Sequence, residues 1–243
     1  MSTLIFYQNP IVIDRVVHKD LRLKMQSKGF TYASKTNSIP VANVEFALSC
    51  HDYPIVFVTD DSGSGIPVVL TGLRNDENVF VNEHGKWDAS YIPAFVRRYP
   101  FVLQTNDASE DYSVMIDADA AGFGEEGGER LFDDAGTNTE FLNSTLALID
   151  QFRIHTEHTV DFVKQLRQLD LLVPRIINAV TQKGEALQMD GFSVVDEARL
   201  NALNDADLLM IAKNGNLASI HAHLISLSQI QNLLGRTEKL NSI

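Results

Sequence analysis

The sequence predicts an α+β fold: a mixed or antiparallel sheet with a long central helix and a C-terminal helical segment. Three observations carry that prediction. β-branched runs separated by glycine turns fill the first half of the chain. One apolar period of three and four residues runs unbroken over Thr139–Leu169. Helical periodicity returns after Asp196, without the regular strand–helix–strand spacing of a parallel sheet.

Taken in order, Val41–Cys50 reads as an early helix with Val44, Ala47 and Leu48 on one side. Pro54–Asp60 and Ile66–Leu73 flank Asp61–Gly65, a glycine-containing loop, and read as a hairpin. Glu77–Asn82 alternates like a strand and stops at the turn Glu83–Gly85. The aromatic block Asn78–Phe101 holds the single tryptophan, Trp87, and reads as a turn and short helix bounded by Pro93 and Pro100. Phe101–Thr105 and Tyr112–Asp117 complete the early strands. Residues 119–138, rich in glycine and acid, read as a linker.

The long helix follows, with Leu142, Leu146, Ile149, Phe152, Thr156, Thr159, Val163 and Leu166 on its stripe. Thr137 and Glu140 have capping-box spacing, and the length allows a break near His155. Pro174–Thr181 and Ala186–Asp190 read as a second hairpin across Gln182–Glu185. Asp196 is expected to cap a helix over Glu197–Leu203, and Asp205 one over Ala206–Lys213. A final helix is expected over Leu217–Leu234, ending at Gly235. The whole reads as one domain over 1–243, divisible into a β-rich part (1–118) and a helix-rich part (139–243).

Composition narrows the function. A net charge of −12 disfavours nucleic acid, because phosphates must be neutralised by Lys and Arg. The same charge disfavours an anionic membrane surface. No stretch approaches the ~20 apolar residues of a membrane span. The opening segment lacks a basic n-region and is broken by Gln8, Asn9, Pro10, Asp14 and Arg15, so it does not read as a signal peptide. One cysteine, Cys50, allows no internal disulfide. The cytoplasm is the expected location.

Several residue groups carry chemistry on paper. Arg97 and Arg98, near Trp87, Tyr91, Phe95 and Tyr99, fit a recognition pocket. Arginine forks bind carboxylates, and aromatic faces hold apolar groups. The competing reading fills the core with these aromatics and pairs the arginines with nearby acids. Adjacent helical residues diverge by about 100°, so the two arginines need not act together. His155 and His158 share a helix face and would form a metal site if His221 or His223 joined them. His221 and His223 stand two apart, so only one of them would reach.

Other patterns are poorer. Gly122, Gly124 and Gly127 match a dinucleotide-loop spacing, but acidic residues crowd the turn and no helix is expected to open there. Asp117, Asp119 and Gly122 fall at positions 1, 3 and 6 of a calcium loop, yet Ala121 and Gly128 stand where ligands belong. Cys50-His51-Asp52 places a thiol beside an imidazole, but adjacent residues rarely orient for proton transfer. The usual hydrolase, zincin and P-loop motifs are missing from the sequence.

The blocks His18–Leu23, Tyr53–Phe57, Gly85–Phe101, Arg130–Gly136 and Asn214–Ile230 together resemble the SapC family of bacterial proteins. That family is named after a gene associated with a paracrystalline surface layer. The resemblance covers nearly the whole chain, implies a link to surface-layer or envelope biology, and brings no catalytic residues with it.

The resulting expectation is a non-enzymatic accessory protein that binds a protein or peptide partner. It uses no cofactor, and its C-terminal helix offers a route to a homo-oligomer. The alternative is an enzyme or peptide-binding module acting on an amino-acid or peptide ligand near Arg97 and Arg98. The expected ligand-binding residues are Trp87, Tyr91, Arg97, Arg98 and Tyr99. His155 and His158 are the metal candidates.

Overall fold

In the computed structural model, the described residues are 4–25, 27–59, 65–105, 112–124 and 126–240. Ten strands and seven α-helices lie among them. The strands are β1 (Pro10–Val12), β2 (Arg22–Leu23), β3 (Ser38–Pro40), β4 (Ile55–Thr59), β5 (Gly65–Leu70), β6 (Phe101–Thr105), β7 (Tyr112–Asp117), β8 (Glu129–Arg130), β9 (Leu172–Val180) and β10 (Ala186–Val195). The helices are α1 (Phe46–Ser49), α2 (Ala94–Arg97), α3 (Glu140–Gln168), α4 (Glu197–Asn201), α5 (Asp205–Lys213), α6 (Asn216–Ser226) and α7 (Gln229–Leu240). A 3-10 turn, Asn43–Glu45, leads into α1.

Every strand pairing is antiparallel. One sheet runs β3-β5-β4-β10-β9, a second β1-β7-β6, and β2 pairs with β8. The expected hairpins are present: Val56 faces Val68 across β4–β5, and Asn178 faces Gln188 across β9–β10. The glycine-containing loop between β4 and β5 lies mostly outside the described residues. β10 runs five residues past Asp190, the end expected from sequence. A bulge between Met189 and Phe192 bends it, and Gly191 there has a φ of 78°, which a side chain would strain.

α3 is one unbroken helix of 29 residues, with no interruption at His155. Its cap is Thr139 rather than Thr137: the Thr139 hydroxyl accepts the Leu142 amide at 3.3 Å. Its stripe is divided between two apolar cores. Phe162, Val163 and Leu166 join the larger, with Phe46, Phe57 and Val69. Leu142 and Ile149 join the smaller, with Leu23, Phe101, Ile116 and Leu131. Burying each such side chain contributes roughly 1.5–3 kcal/mol. Thr156, placed on the stripe by its spacing, is exposed.

Five further expectations are corrected. Val41–Cys50 is not one helix. The 3-10 turn and α1 bury Glu45, Phe46, Ser49 and Cys50, while Val44 and Leu48 stand 53% and 58% exposed. Glu77–Asn82 forms no strand, and only an isolated bridge joins Val81 to Trp87. Residues 119–138 are more than a linker: β8 closes on β2, and Leu131 and Phe132 are buried. The C-terminal helix is two. α6 stops at Ser226, α7 runs through Gly235, and Ile220 and Leu233 pack in the larger core. The cap of α5 is Asn204, whose side chain accepts the Asp207 amide, while Asp205 is its first helical residue. Asp196 caps α4 as expected, accepting the Arg199 amide at 3.1 Å.

Candidate functional site

The segment from Trp87 to Arg98 is fastened by three residues of the Glu45–Tyr53 stretch. The Trp87 indole N–H donates to the Tyr53 hydroxyl at 2.7 Å, and that hydroxyl donates to the Tyr91 carbonyl. Asp52 Oδ2 accepts the amides of Ser90 at 2.9 Å and Tyr91 at 3.0 Å. The buried Glu45 carboxylate accepts three bonds: Oε1 takes the Tyr91 hydroxyl at 2.7 Å and the Ala94 amide at 2.8 Å, and Oε2 takes the Ala42 amide at 2.9 Å. The Ala42 bond is the backbone half of a capping box. α2 thus starts where Glu45 holds it.

α3 is drawn onto the same unit. Thr159 Oγ1 accepts the Asn43 amide at 3.0 Å and donates to the His155 carbonyl at 2.6 Å. Between the 3-10 turn, α1, α2 and α3 lies an open cleft of about 270 Å3. Val44, Leu48, Leu148 and Phe152 form apolar walls, and Glu45, Tyr91, Arg97, Gln151 and His155 supply the polar groups. Its size is at the low end for ligand sites, enough for one or two residues of a chain.

Arg97 is set in place by backbone and tyrosine rather than by an acid. Its Nε donates to the Ile92 carbonyl at 3.0 Å and an Nη to the Tyr91 hydroxyl at 3.4 Å. Among the described residues no carboxylate oxygen lies within 4.0 Å of it. Burial, and then the Glu45 carboxylate, push the Tyr91 hydroxyl up to about 12. It therefore stays protonated and donates to Glu45. Among the described residues, no hydrogen bond engages the half-buried His155 imidazole. A guanidinium with spare donors, an imidazole and an amide around an apolar slot can hold a carboxylate attached to an apolar group.

The residues expected from sequence divide. Tyr91, Arg97 and His155 line the cleft together. Trp87 is a buried strut under it. Arg98 does not line the cleft and is 5% exposed, its guanidinium 4.1 Å from the Phe95 ring centroid and 5.0 Å from that of Phe152. Burial draws its pKa down. Tyr99 stacks on Tyr32 at 4.0 Å and donates to Asp117 Oδ2 at 2.8 Å. Cleft and core thus share this block, one arginine to each.

His158 is exposed and outside the cleft. His223 is fully buried, with both ring nitrogens bonded to backbone, and His221 is exposed. Among the described residues no three His, Cys, Asp or Glu side chains gather as a metal set. Asp117 gives its oxygens to the Gln8 and Asn9 amides and the Tyr99 hydroxyl. Cys50 is buried, which raises its pKa, and its thiol leans on the Ala47 carbonyl at 3.4 Å.

Sequence reasoning missed Glu45, Val44, Leu48, Leu148, Gln151 and Phe152. The capping spacing of Ala42 and Glu45 was the only signal for the first. The apolar walls look like core positions in one dimension. A second cleft of about 410 Å3 borders α7, lined by His51, Asp52, Asp88, Gln229, Asn232, Arg236 and others. Arg236 is engaged there with Asp88 at 2.7 Å.

Among the described residues no helix is long and apolar enough to cross a membrane. No curated protein and no solved structure matches the chain. A family model described as SapC matches residues 13–233, a span that contains every residue of the cleft. The chain belongs to the SapC family.

Proposed function

We propose that this protein is a cytoplasmic, non-enzymatic accessory protein that binds a peptide segment of a partner involved in surface-layer or envelope function. The cleft takes an apolar side chain between Val44, Leu48, Leu148 and Phe152, and a neighbouring carboxylate on Arg97. One observation carries this reading: Arg97 faces the cleft with its donors partly unused and, among the described residues, no carboxylate oxygen within 4.0 Å. The family's association with surface-layer genes supports the setting.

A second reading, an enzyme acting on an amino-acid or peptide ligand, draws on the meeting of Glu45, Tyr91, Arg97 and His155 in one cleft. Two facts favour binding over reaction. Glu45 spends both oxygens on protein donors, so it is poorly placed to take a proton from a ligand. Among the described residues no Ser, Thr or Cys lines the cleft to act as a nucleophile.

The test is calorimetric titration with short apolar peptides that carry one Asp or Glu, against the same peptides with Asn or Gln. Wild type should prefer the acidic set, and Arg97→Gln should lower its affinity at least about tenfold. Equal binding by wild type and variant would overturn the carboxylate site. Conversion of the peptide, seen by mass spectrometry, would hand the case to the enzyme reading.

A further inference from the structure

β9 ends the five-stranded sheet, and its hydrogen-bonding direction can be worked out. The Thr181 amide donates inward to the Glu185 carbonyl at 2.9 Å. The Val195 amide points the other way, to His223 on the β4 side, so Val194 turns toward its partner Val173. Backbone groups alternate sides along a strand. Val173, Arg175, Ile177 and Ala179 therefore bond inward to β10. Leu172, Pro174, Ile176, Asn178 and Val180 turn their backbone groups to the free edge. Among the described residues nothing bonds to that edge.

Pro174 has no N–H to offer and ends the usable stretch on one side. What remains, Ile176–Val180, is uncharged, with Ile176 56% and Val180 64% exposed. An uncharged, largely apolar, unpaired edge is a template for another strand. Its pattern is also symmetric: one large apolar side chain stands two residues before Asn178 and one two residues after.

We propose that β9 pairs antiparallel with β9 of a second copy of this chain, about a two-fold axis at Asn178. Ile176 then faces Val180 of the second copy, and the two Asn178 residues face each other. Every outward N–H and C=O of the stretch is used. Pro174 meets Gln182, whose amide is already taken by Glu238 at 2.7 Å, so neither residue donates at that pair and the new ladder ends before it. Arg175 meets Thr181, and no like charges are directly opposed. An edge complementary to itself is what an isologous dimer needs.

Sedimentation equilibrium and light scattering test this. Wild type should have twice the 27.0 kDa mass of the chain. Asn178→Pro removes an outward donor and leaves the β10 ladder intact. Val180→Lys sets a charge against the second copy on a side chain outside the core. Both should run as monomers with unchanged circular dichroism, and the wild-type amides of Ile176, Asn178 and Val180 should exchange more slowly as concentration rises. A monomeric wild type overturns the proposal, and so does a dimer that survives Val180→Lys, even if Asn178→Pro fails to fold.

Discussion

His223 stands in the β-ladder as a spacer for Ile55. Its Nδ1 lies 2.9 Å from the Ile55 carbonyl, and its Nε2 accepts the Val195 amide at 3.0 Å. Phe57 pairs with Ser193, so Ile55 and Val195 would face each other two steps on. The imidazole fills that gap, with Nδ1 carrying the proton. Ser226 Oγ completes the splice by accepting the Ile55 amide at 2.9 Å. α6 is stitched into the sheet through one residue of β4.

This arrangement predicts acid sensitivity. Burial pulls His223 from its ordinary 6.5 to about 4. The unfolded chain takes up a proton near pH 6.5, and the folded one only near pH 4. Between those values the unfolded state binds more protons, so stability falls as pH falls. The loss should total about 3 kcal/mol, complete by about pH 4 and absent above about pH 6.5. Urea titrations across that range check it. His223→Phe should flatten this part of the profile whatever it does to the plateau.

Tyr53→Phe should destabilise the protein by about 2 kcal/mol, because it strands the Trp87 N–H and the Tyr91 carbonyl in the interior. Trp87 is the only tryptophan, so its fluorescence reports the change directly. An unchanged urea midpoint would remove Tyr53 from the framework of the cleft.

Glu45→Ala should cost about 3 kcal/mol, and Glu45→Gln less, since the amide keeps one acceptor but turns an N–H toward a backbone donor. Both variants should also loosen α2 and so weaken any ligand that Arg97 holds. Thermal melts measure the first effect, and amide chemical shifts over 90–98 the second. A fully stable Glu45→Ala protein would contradict the clamp.

Much of the scaffold was legible in the sequence, where periodicity was long or turns were marked. α3 was found almost to the residue, because 29 residues of one period leave little ambiguity. β6 and β7 matched their predicted ends. The failures have local causes. Glu77–Asn82 alternates like a strand, but Asn78 folds back, its side chain accepting the Phe80 amide and donating to the Ala33 carbonyl. α6 and α7 read as one helix in sequence because Leu227 and Ile230 keep the stripe in phase across the break after Ser226. Arg97 and Arg98 look equivalent in sequence, but only packing decides which of two neighbours faces Phe95 and which faces the cleft. Glu45 was missed because a buried acid is recognised by its donors, and all but one of these are remote in sequence.

α3 buries its first half in one core and its second half in the other. A rigid rod with both ends embedded has a fixed pitch between them. Inserting one residue near Gln151 would turn one end about 100° relative to the other and shift it about 1.5 Å. No side-chain swap could repair that mismatch. The helix should therefore tolerate substitution along its outer face while rejecting any change of length, as a key tolerates wear on its handle but not a new spacing of its teeth.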